Sequence, residues 1–255
     1  MGTPLLTVSD LSMRFGGLLA VDQVGFELLP HQVFAIIGPN GAGKTTVFNC
    51  ISGFYRPTSG QVYLQDTALH RLSSHRIAQL GVVRTFQNVR LFKQLTVLEN
   101  LLVAQHQRIN TSLLAGLLKT ASYRRSEQQA LEEAVKWLEY MDLLEYANRE
   151  AGNLAYGHQR RLEIARCMIT KPRILMLDEP AAGLNPREKV ALKELIDKLR
   201  SEMDMTILLI EHDMSLVMGI SDEILVMEYG KPIARGLPQD IQQDTRVIRA
   251  YLGEE

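Results

Sequence analysis

The chain has 255 residues, 46% of them hydrophobic and 22% charged, which is enough for the core of one large domain with a subdomain. The formal net charge of -1 gives no global positive excess, so we expect no nucleic-acid partner. No run approaches the roughly 18 consecutive apolar residues that span a bilayer, and the N-terminus shows no basic, then apolar leader. The sequence therefore predicts a soluble, cytoplasmic chain.

The first third of the chain predicts short strands. Three partly alternating segments, Leu5–Ser9, Val24–Leu29 and Gln61–Gln65, are separated by turn residues and indicate an antiparallel sheet. Between the second and the third lies the continuous apolar run VFAII, Val33–Ile37. Such a run is typical of a strand that is buried on both faces of a parallel sheet.

Two later runs, Ile174–Leu177 and Thr206–Ile210, have the same buried-strand pattern, and a hairpin-like segment, ILVMEYGKPIARG, closes the sheet region. From about Thr96 to Met168 the apolar period is instead helical, as in LEEAVKWLEYMDLLEYA. Thr96 and Glu99 have the spacing of a capping box at the start of a helix. A mostly helical segment is therefore inserted into a parallel-sheet core.

We predict a single domain over residues 1–255, in which 1–90 and 165–255 form the core and about 91–164 form a helical subdomain. Within the subdomain, Thr111–Arg125 is apolar and then basic, which fits either a helix packed on its neighbours or a membrane-surface segment.

The two cysteines, Cys50 and Cys167, both lie in apolar helical contexts. This setting predicts two inert, buried thiols in a reducing compartment. A disulfide between them is the alternative.

The stretch GPNGAGKTT matches the pattern G-x-x-x-x-G-K-[ST] and lies between the buried strand and a short helix that Gly53 would end. Glycines let the backbone wrap closely around phosphates, while successive N–H groups and the helix start supply positive potential. Lys44 would reach the β- and γ-phosphates, and the hydroxyl of Thr45 would bind Mg²⁺. The predicted nucleotide-binding residues of this loop are Gly38, Pro39, Asn40, Gly41, Ala42, Gly43, Lys44, Thr45 and Thr46.

A second buried strand ends in ILMLDEP, which supplies a carboxylate pair. Asp178 is placed to hold the magnesium ion, directly or through water. Glu179, at the exit of the strand, is placed to orient or deprotonate a water molecule. Asn185 and Pro186 then have the pattern of an N-cap followed by the first residue of a helix.

Taken in order, these motifs resemble the ATP-binding subunits of ABC transporters over nearly the whole chain. The resemblance implies an α/β fold: a P-loop NTPase core with an antiparallel β subdomain and an inserted α-helical subdomain. It implies that Gln87, in TFQ, binds Mg²⁺ and is the hinge to the helical subdomain, and that His212, in IEHD, contacts the γ-phosphate. Phe15, in MRFGG, would stack on adenine, with a core phenylalanine as the alternative.

The stretch LAYGHQ stands where the family consensus is LSGGQ, a signature that contacts the ATP bound by the opposite subunit of a dimer. Leu154 and Gly157 match the consensus, whereas Ala155, Tyr156 and His158 do not. The predicted helical subdomain includes the start of this signature helix.

Several longer stretches, including VVRTFQNVRLFKQLTVLENLLVAQH and LMLDEPAAGLNP, resemble the ATP-binding proteins of bacterial branched-chain amino-acid importers, in which LAYG is the familiar signature. This resemblance implies ATP and Mg²⁺ as cofactors and a location on the cytoplasmic side of the inner membrane. It implies as partners a second ATPase subunit, identical or related, two membrane-spanning permease subunits and, indirectly, a solute-binding protein. The cargo itself stays open, since an importer of urea or another amide would need the same motifs.

Two other classes fit the sequence less well. Soluble ABC-type ATPases that act on DNA or ribosomes carry two cassettes or long insertions, which 255 residues do not accommodate. A regulatory protein with an inactive site would not need the full set of Lys44, Asp178, Glu179 and His212. We therefore expect a working ATPase.

Overall fold

The strands form two sheets in the computed structural model, which describes residues 2–105 and 121–252. Within those residues, an antiparallel sheet has the order β2-β1-β4-β5, and a mostly parallel sheet has the order β10-β9-β3-β8-β7-β6 with β10 antiparallel at its edge. The strands are β1 (Leu6–Phe15), β2 (Leu18–Leu28), β3 (Val33–Ile37), β4 (Ser59–Leu64), β5 (Thr67–Ala68), β6 (Val82–Arg84), β7 (Ile174–Asp178), β8 (Thr206–Ile210), β9 (Glu223–Glu228) and β10 (Lys231–Gly236). The predicted antiparallel and parallel sheets are confirmed.

The three continuous apolar runs form neighbouring strands at the centre of the parallel sheet. Every residue of β3, β7 and β8 is buried, as expected for strands that are covered on both faces. Because the three strands are parallel, their carboxyl ends meet at one edge of the sheet. That edge is where an open α/β sheet binds its ligands.

The first strand is longer than its alternating pattern predicted, because a β-bulge breaks the alternation. Val8 pairs with Phe26 and Leu11 pairs with Val24, so two residues of β1 lie opposite one residue of β2. Asp10, inside the bulge, has a positive φ of 50°. The strand continues beyond it to Phe15, whereas the sequence pattern ended at Ser9.

Two helices begin at the caps that the sequence predicted. Thr96 and Asn185 each form a full capping box with the glutamate three residues later, which confirms both predicted caps. Among the described residues, no helix is both long enough and apolar enough to cross a membrane. The described helices are α1 (Lys44–Ile51), α2 (Ser74–Gln79), α3 (Val97–Ala104), α4 (Ala121–Tyr140), α5 (Tyr156–Met168), α6 (Pro186–Met203), α7 (Met214–Ile220), α8 (Pro238–Gln243) and α9 (Thr245–Leu252).

The helical pattern LEEAVKWLEYMDLLEYA does not form one continuous helix. Helix α4 ends at Tyr140, Asp142 takes a left-handed φ of 56°, and a short 3-10 turn follows at Leu144–Tyr146. The N–H of Leu143 donates to the carbonyl of Leu138 at 2.7 Å, which closes the end of the helix. The apolar period continues through this break, so periodicity alone gave no sign of it. Most of the segment Thr111–Arg125 lies outside the described residues.

The chain divides into two compact units, which we call the first and second units. The first comprises Met1–Gln87 and Arg173–Glu255, and the second comprises Asn88–Pro172. The sequence pattern predicts these divisions at about 90/91 and 164/165. The later boundary moves because helix α5 continues without interruption to Met168, so all of it belongs to the second unit.

Both cysteines are free and buried, as predicted. Cys50 belongs to the first unit and Cys167 to the second. Burial raises the pKa of each thiol to about 12. Because the thiolate is the reactive form, both side chains are inert at neutral pH.

Candidate active site

The loop between β3 and α1 has a backbone that requires glycine at two positions. Gly38 has a φ of 146°, and a Cβ there would lie 2.0 Å from the carbonyl oxygen of Met227. Gly43 has a φ of 94°, and a Cβ there would lie 2.5 Å from the carbonyl oxygen of Ala20. A Cβ on Gly41 would instead meet open space. The loop is therefore tight on its protein side and open on the side where a phosphate group would lie.

The side chain of Lys44 folds back under this loop. Its Nζ donates to the carbonyl oxygens of Gly38 at 2.6 Å and Pro39 at 2.9 Å, and the residue is only 5% exposed. Burial lowers the pKa of the ammonium group, whereas the charges of Glu179 and Asp178 oppose that shift. The two carboxylates thus favour the charged form of the ammonium group, which is the form that binds a phosphate chain.

A cavity of about 350 Å³ lies along the loop. Phe15 is not among its lining residues; its ring is 41% exposed and meets the edge of Tyr55 at a centroid distance of 5.3 Å. Phe15 is thus not a core residue, and its contact with adenine stays a prediction. The cavity is lined by Leu18, Leu19, Ala20, Asn40, Gly41, Ala42, Gly43, Lys44, Thr45, Thr46, Glu179, Tyr229 and Gly230.

The starts of α1 and α5 have no side-chain cap. The N-cap residues Ser73, Thr96, Asn185 and Asp213 each accept a hydrogen bond on the side chain from a backbone N–H of the first turn. Gly43 and Ala155, the N-caps of α1 and α5, make no such bond, and neither does Leu237 at the start of α8. The first-turn amides of these two helices, which carry the phosphate loop and the signature, lack side-chain caps and are available to an anion.

Three predicted residues meet at the carboxyl edge of the parallel sheet. Glu179 follows β7 with a left-handed φ of 46°, and its N–H donates to the carbonyl of Ile210 at 2.9 Å. Gln87 Nε2 donates to Glu179 Oε2 at 3.0 Å, and His212 Nδ1 lies 3.8 Å from the same oxygen. The sequence placed these residues at three distant points of the chain, and the fold brings them to one carboxylate.

Arg84 also belongs to this edge, although no motif in the sequence marks it. Its Nη2 lies 2.5 Å from Asp178 Oδ2, and both side chains are only 5% exposed. Its Nη1 donates to Asn49 Oδ1 at 2.7 Å and to Ser52 Oγ at 3.2 Å. Arg84 therefore joins the end of β7 to the last turn of α1. The available signal was a charged residue closing the short strand GVVR, just before TFQ.

Glu211, directly before His212, is also part of the edge and was missed. It is fully buried, and its two oxygens accept hydrogen bonds from the N–H groups of Ala181, His212 and Asp213 at 2.7, 2.9 and 3.1 Å. These bonds fix the segment that follows β7 and the segment that follows β8. A glutamate directly after an apolar run was the available signal.

The signature residues lie at the start of α5, in the second unit. Leu154 is buried, whereas Ala155 is exposed and Gly157 is half-buried. The hydroxyl of Tyr156 accepts a hydrogen bond from Arg160 at 3.3 Å, and the ring of His158 lies 4.8 Å from that of Tyr146, measured between centroids. Both unusual side chains therefore have contacts within their own unit.

Arg160 continues this arrangement into the helix. It is 1% exposed and forms an ion pair of 2.7 Å with Glu163. Glu163 accepts in turn from the backbone N–H of Arg90 at 3.1 Å. The segment that follows Gln87 is thus joined to the signature helix through buried charges.

The predicted magnesium ligands are oxygen donors of the first unit. Asp178 is 3% exposed, while Thr45 lines the cavity and Gln87 is exposed. Among the described residues, no group of three or more His, Cys, Asp or Glu could hold a metal ion alone. The donor set of one carboxylate, one hydroxyl and one amide oxygen suits Mg²⁺, which is commonly bound by one or two carboxylates together with substrate phosphates.

Comparisons with known proteins agree with this geometry. Residues 21–182 match the ABC transporter family, and residues 231–255 match the branched-chain amino acid ATP-binding cassette transporter family. The structure is similar to the crystal structure of the ADP conformation of MJ1267, an ATP-binding cassette of an ABC transporter, with a TM-score of 0.85 at 32% identity. The match covers 99% of this chain and 100% of the MJ1267 chain. The crystal structure of a nucleotide-free ATP-binding cassette from an ABC transporter has a TM-score of 0.83 at 31% identity. That match covers 99% of this chain and 100% of the other chain.

The chain therefore belongs to the ABC transporter family, as an ATPase subunit with the fold class that the motifs predicted. It is 63% identical over 254 residues to the high-affinity branched-chain amino acid transport ATP-binding proteins LivG of Escherichia coli and BraF of Pseudomonas aeruginosa, with 100% of each chain covered. Within the family it belongs to this branched-chain amino acid group, and the resemblance found in the sequence is confirmed.

Proposed function

We propose that the chain hydrolyses ATP at the edge formed by the phosphate loop, Glu179 and His212, and that this drives an importer of branched-chain amino acids. The observation that carries the proposal is the convergence of Gln87 and His212 on the carboxylate of Glu179, which itself lines the cavity along the phosphate loop. The 63% identity to LivG and BraF over the whole chain supports the cargo class.

Glu179 acts in this proposal as the base. Its carboxylate accepts a proton from water as the water oxygen bonds to the γ-phosphorus, and the bond from that phosphorus to the bridging oxygen of ADP breaks. His212 contacts the γ-phosphate and lies 3.8 Å from the base. Gln87, hydrogen-bonded to the same carboxylate, orients it.

Lys44 and the loop amides hold the β- and γ-phosphates, and nucleotide binding replaces the bonds that Lys44 makes to its own loop carbonyls. Thr45, Gln87 and Asp178 would hold Mg²⁺, whose charge offsets the developing charge on the phosphate oxygens. Arg84 keeps the carboxylate of Asp178 in place at the end of β7.

The signature residues 154–158 contact the ATP of a second ATPase subunit in this proposal. The uncapped start of α5 offers backbone amides and a positive dipole to the γ-phosphate of the partner. A serine hydroxyl at position 155 would add one bond to a charged acceptor, worth roughly 1.5–3 kcal/mol. Since the helix start and Gly157 are retained, the contact does not depend on that hydroxyl.

We further propose that the chain is peripheral, on the cytoplasmic side of a bacterial inner membrane. Its partners are a second ATPase subunit, either a copy of itself or a related LivF-type chain, and two membrane-spanning permease subunits, with a solute-binding protein as an indirect partner. Gln87, the last residue before the second unit begins, is the point at which nucleotide-dependent motion reaches the helical unit.

The exchange Glu179→Gln tests the assignment of the base. We expect ATP affinity to stay within about twofold while the turnover of the assembled transporter falls by roughly 10²–10⁴-fold, because the amide cannot accept the proton. Equilibrium binding and phosphate release measure the two quantities. The control is Glu194→Gln, at an exposed position of α6, which should leave both unchanged.

Normal turnover in the Glu179→Gln protein would refute the role of Glu179. The cargo class is tested separately by purifying the chain from its native host and identifying the membrane and solute-binding proteins that accompany it. Co-purified subunits of an unrelated transporter, with no loss of branched-chain amino-acid uptake on deletion, would refute the cargo class alone.

A further inference from the structure

Tyr229 lies at the tip of the β9–β10 hairpin in a backbone conformation that tyrosine disfavours. Glu228 pairs with Lys231, so the hairpin closes through Tyr229 and Gly230. Both turn residues have positive φ, 45° at Tyr229 and 83° at Gly230, as in a type I′ turn. Asparagine or aspartate followed by glycine is the usual choice for this turn. An aromatic residue at its first position is an outlier.

The packing of the fold does not explain the tyrosine. Its side chain is 87% exposed, the highest value among the exposed large hydrophobic residues of the described chain. A strained backbone position that is not offset by burial is more common at functional sites than elsewhere. The turn is therefore better explained by something that the ring contacts outside the protein core.

The hairpin tip is fixed to the phosphate loop. The N–H of Gly230 donates to the carbonyl of Ala42 at 3.2 Å, and the carbonyl of Gly230 accepts from the N–H of Asp22 at 2.8 Å. A Cβ on Gly230 would lie 2.9 Å from the carbonyl oxygen of Ala20, so the backbones are in close contact. Tyr229 is thus held at a defined place next to the loop.

Tyr229 also lines the cavity along that loop, together with Leu18, Leu19 and Ala20. Leu18 is 67% exposed, so two large exposed side chains stand at the cavity on two different hairpins. The phosphate end of the cavity is formed by backbone amides and Lys44. The apolar lining suits the flat, uncharged face of a nucleoside base, which stacks well on an aromatic ring.

We propose that Tyr229 contacts the nucleoside part of the bound nucleotide and supplies affinity that the triphosphate alone does not receive. This inference rests on the proposed function, because it takes the phosphate loop as a nucleotide site. It adds to the site a residue that lies far from the loop in the sequence, 183 positions after Thr46, and belongs to no motif.

The test compares ATP with inorganic tripolyphosphate, both with Mg²⁺, by calorimetric titration of the full-length chain. Tyr229→Asn should weaken ATP binding on the order of tenfold, because the stacking surface is lost, while tripolyphosphate binding stays unchanged. Since asparagine is favoured in this turn, the variant should fold with a Tm at or above that of the original chain. Tyr229→Phe, the matched control, keeps the ring and should retain ATP affinity.

Unchanged ATP affinity in a folded Tyr229→Asn protein would overturn the inference, as would an equal loss for ATP and tripolyphosphate. Failure of the unaltered chain to bind either ligand would instead count against the phosphate site itself, so the two failures are distinguishable. A large loss of ATP affinity in Tyr229→Phe would show that the hydroxyl acts rather than the ring, and would overturn the stacking contact.

Discussion

The phosphate loop leads into α1 and the signature residues begin α5, and both helices start without a side-chain cap. The two regions nevertheless differ in how strictly their structure dictates the residue types. In the loop, the backbone at Gly38 and Gly43 excludes any side chain, so the residue types are dictated by geometry. At the signature start, Ala155 is exposed and Tyr156 and His158 have contacts within their own unit. Positions whose backbone geometry leaves no room for a side chain tolerate no substitution. A motif whose main contribution is the start of a helix tolerates several substitutions.

The largest effect on nucleotide binding that this comparison predicts comes from the loss of Lys44. Lys44→Ala removes the one side-chain charge of the phosphate loop, so ATP affinity should fall roughly 10²-fold or more. Equilibrium binding of ATP to the full-length chain measures the loss. Lys193→Ala on α6 serves as the control and should leave affinity unchanged. Tight ATP binding by Lys44→Ala would refute the phosphate-loop assignment.

Arg84 tests whether the strict requirements of the phosphate loop extend to the neighbouring end of β7, where it pairs with Asp178. Arg84→Met leaves the buried carboxylate of Asp178 without its ion-pair partner, which should lower the free energy of unfolding by about 3–5 kcal/mol. The control is Arg235→Met, which removes a more exposed ion pair with Glu223 and should lower the free energy of unfolding by only about 0–1 kcal/mol. Denaturant unfolding of the full-length chain measures both changes in the free energy of unfolding.

The double exchange Arg84→Met with Asp178→Asn provides the internal check. Removing both charges should restore part of the lost stability, because no uncompensated charge then remains buried. If Arg84→Met unfolds no more easily than Arg235→Met, Arg84 does not hold the end of β7 in place.

The smallest predicted effect concerns the start of α5, which lacks a side-chain cap. Ala155 has the extended backbone of an N-cap without a side-chain acceptor, so Ala155→Ser should stabilise the second unit by about 1 kcal/mol. Thr96→Ala, which removes an existing capping box, should cost a similar amount. Thermal unfolding measures both. A loss in Thr96→Ala without any gain in Ala155→Ser would mean that the first turn of α5 is already satisfied.

Much of the fold could be read from the sequence because its signals are local. The runs at Val33–Ile37 and Thr206–Ile210 are continuous, and the caps at Thr96 and Asn185 follow from short spacings. The extension of β1 to Phe15 was missed because a bulge breaks the alternation. The break in the helical segment was missed because its apolar pattern continues past Tyr140.

The residues of the site also differ in whether a local sequence signal reveals them. The phosphate loop and the carboxylate pair were recognisable in the sequence, since each is a motif with its own physical reason, and their roles stay predictions. Arg84 and Tyr229 were not, because their importance arises from partners far away in the chain, Asp178 for one and the phosphate loop for the other. An isolated charge or aromatic ring in a sequence does not reveal such a partner.

The two buried thiols make the native chain ready for spectroscopic work. Cys50 and Cys167 both have a pKa raised to about 12 by burial, so maleimide reagents at neutral pH should leave them untouched. One of them lies in each unit, which means that neither unit needs its native cysteine removed before labelling. A pair of cysteines introduced on exposed positions of the two units can then carry a fluorescent donor and acceptor and follow their separation through the ATP cycle.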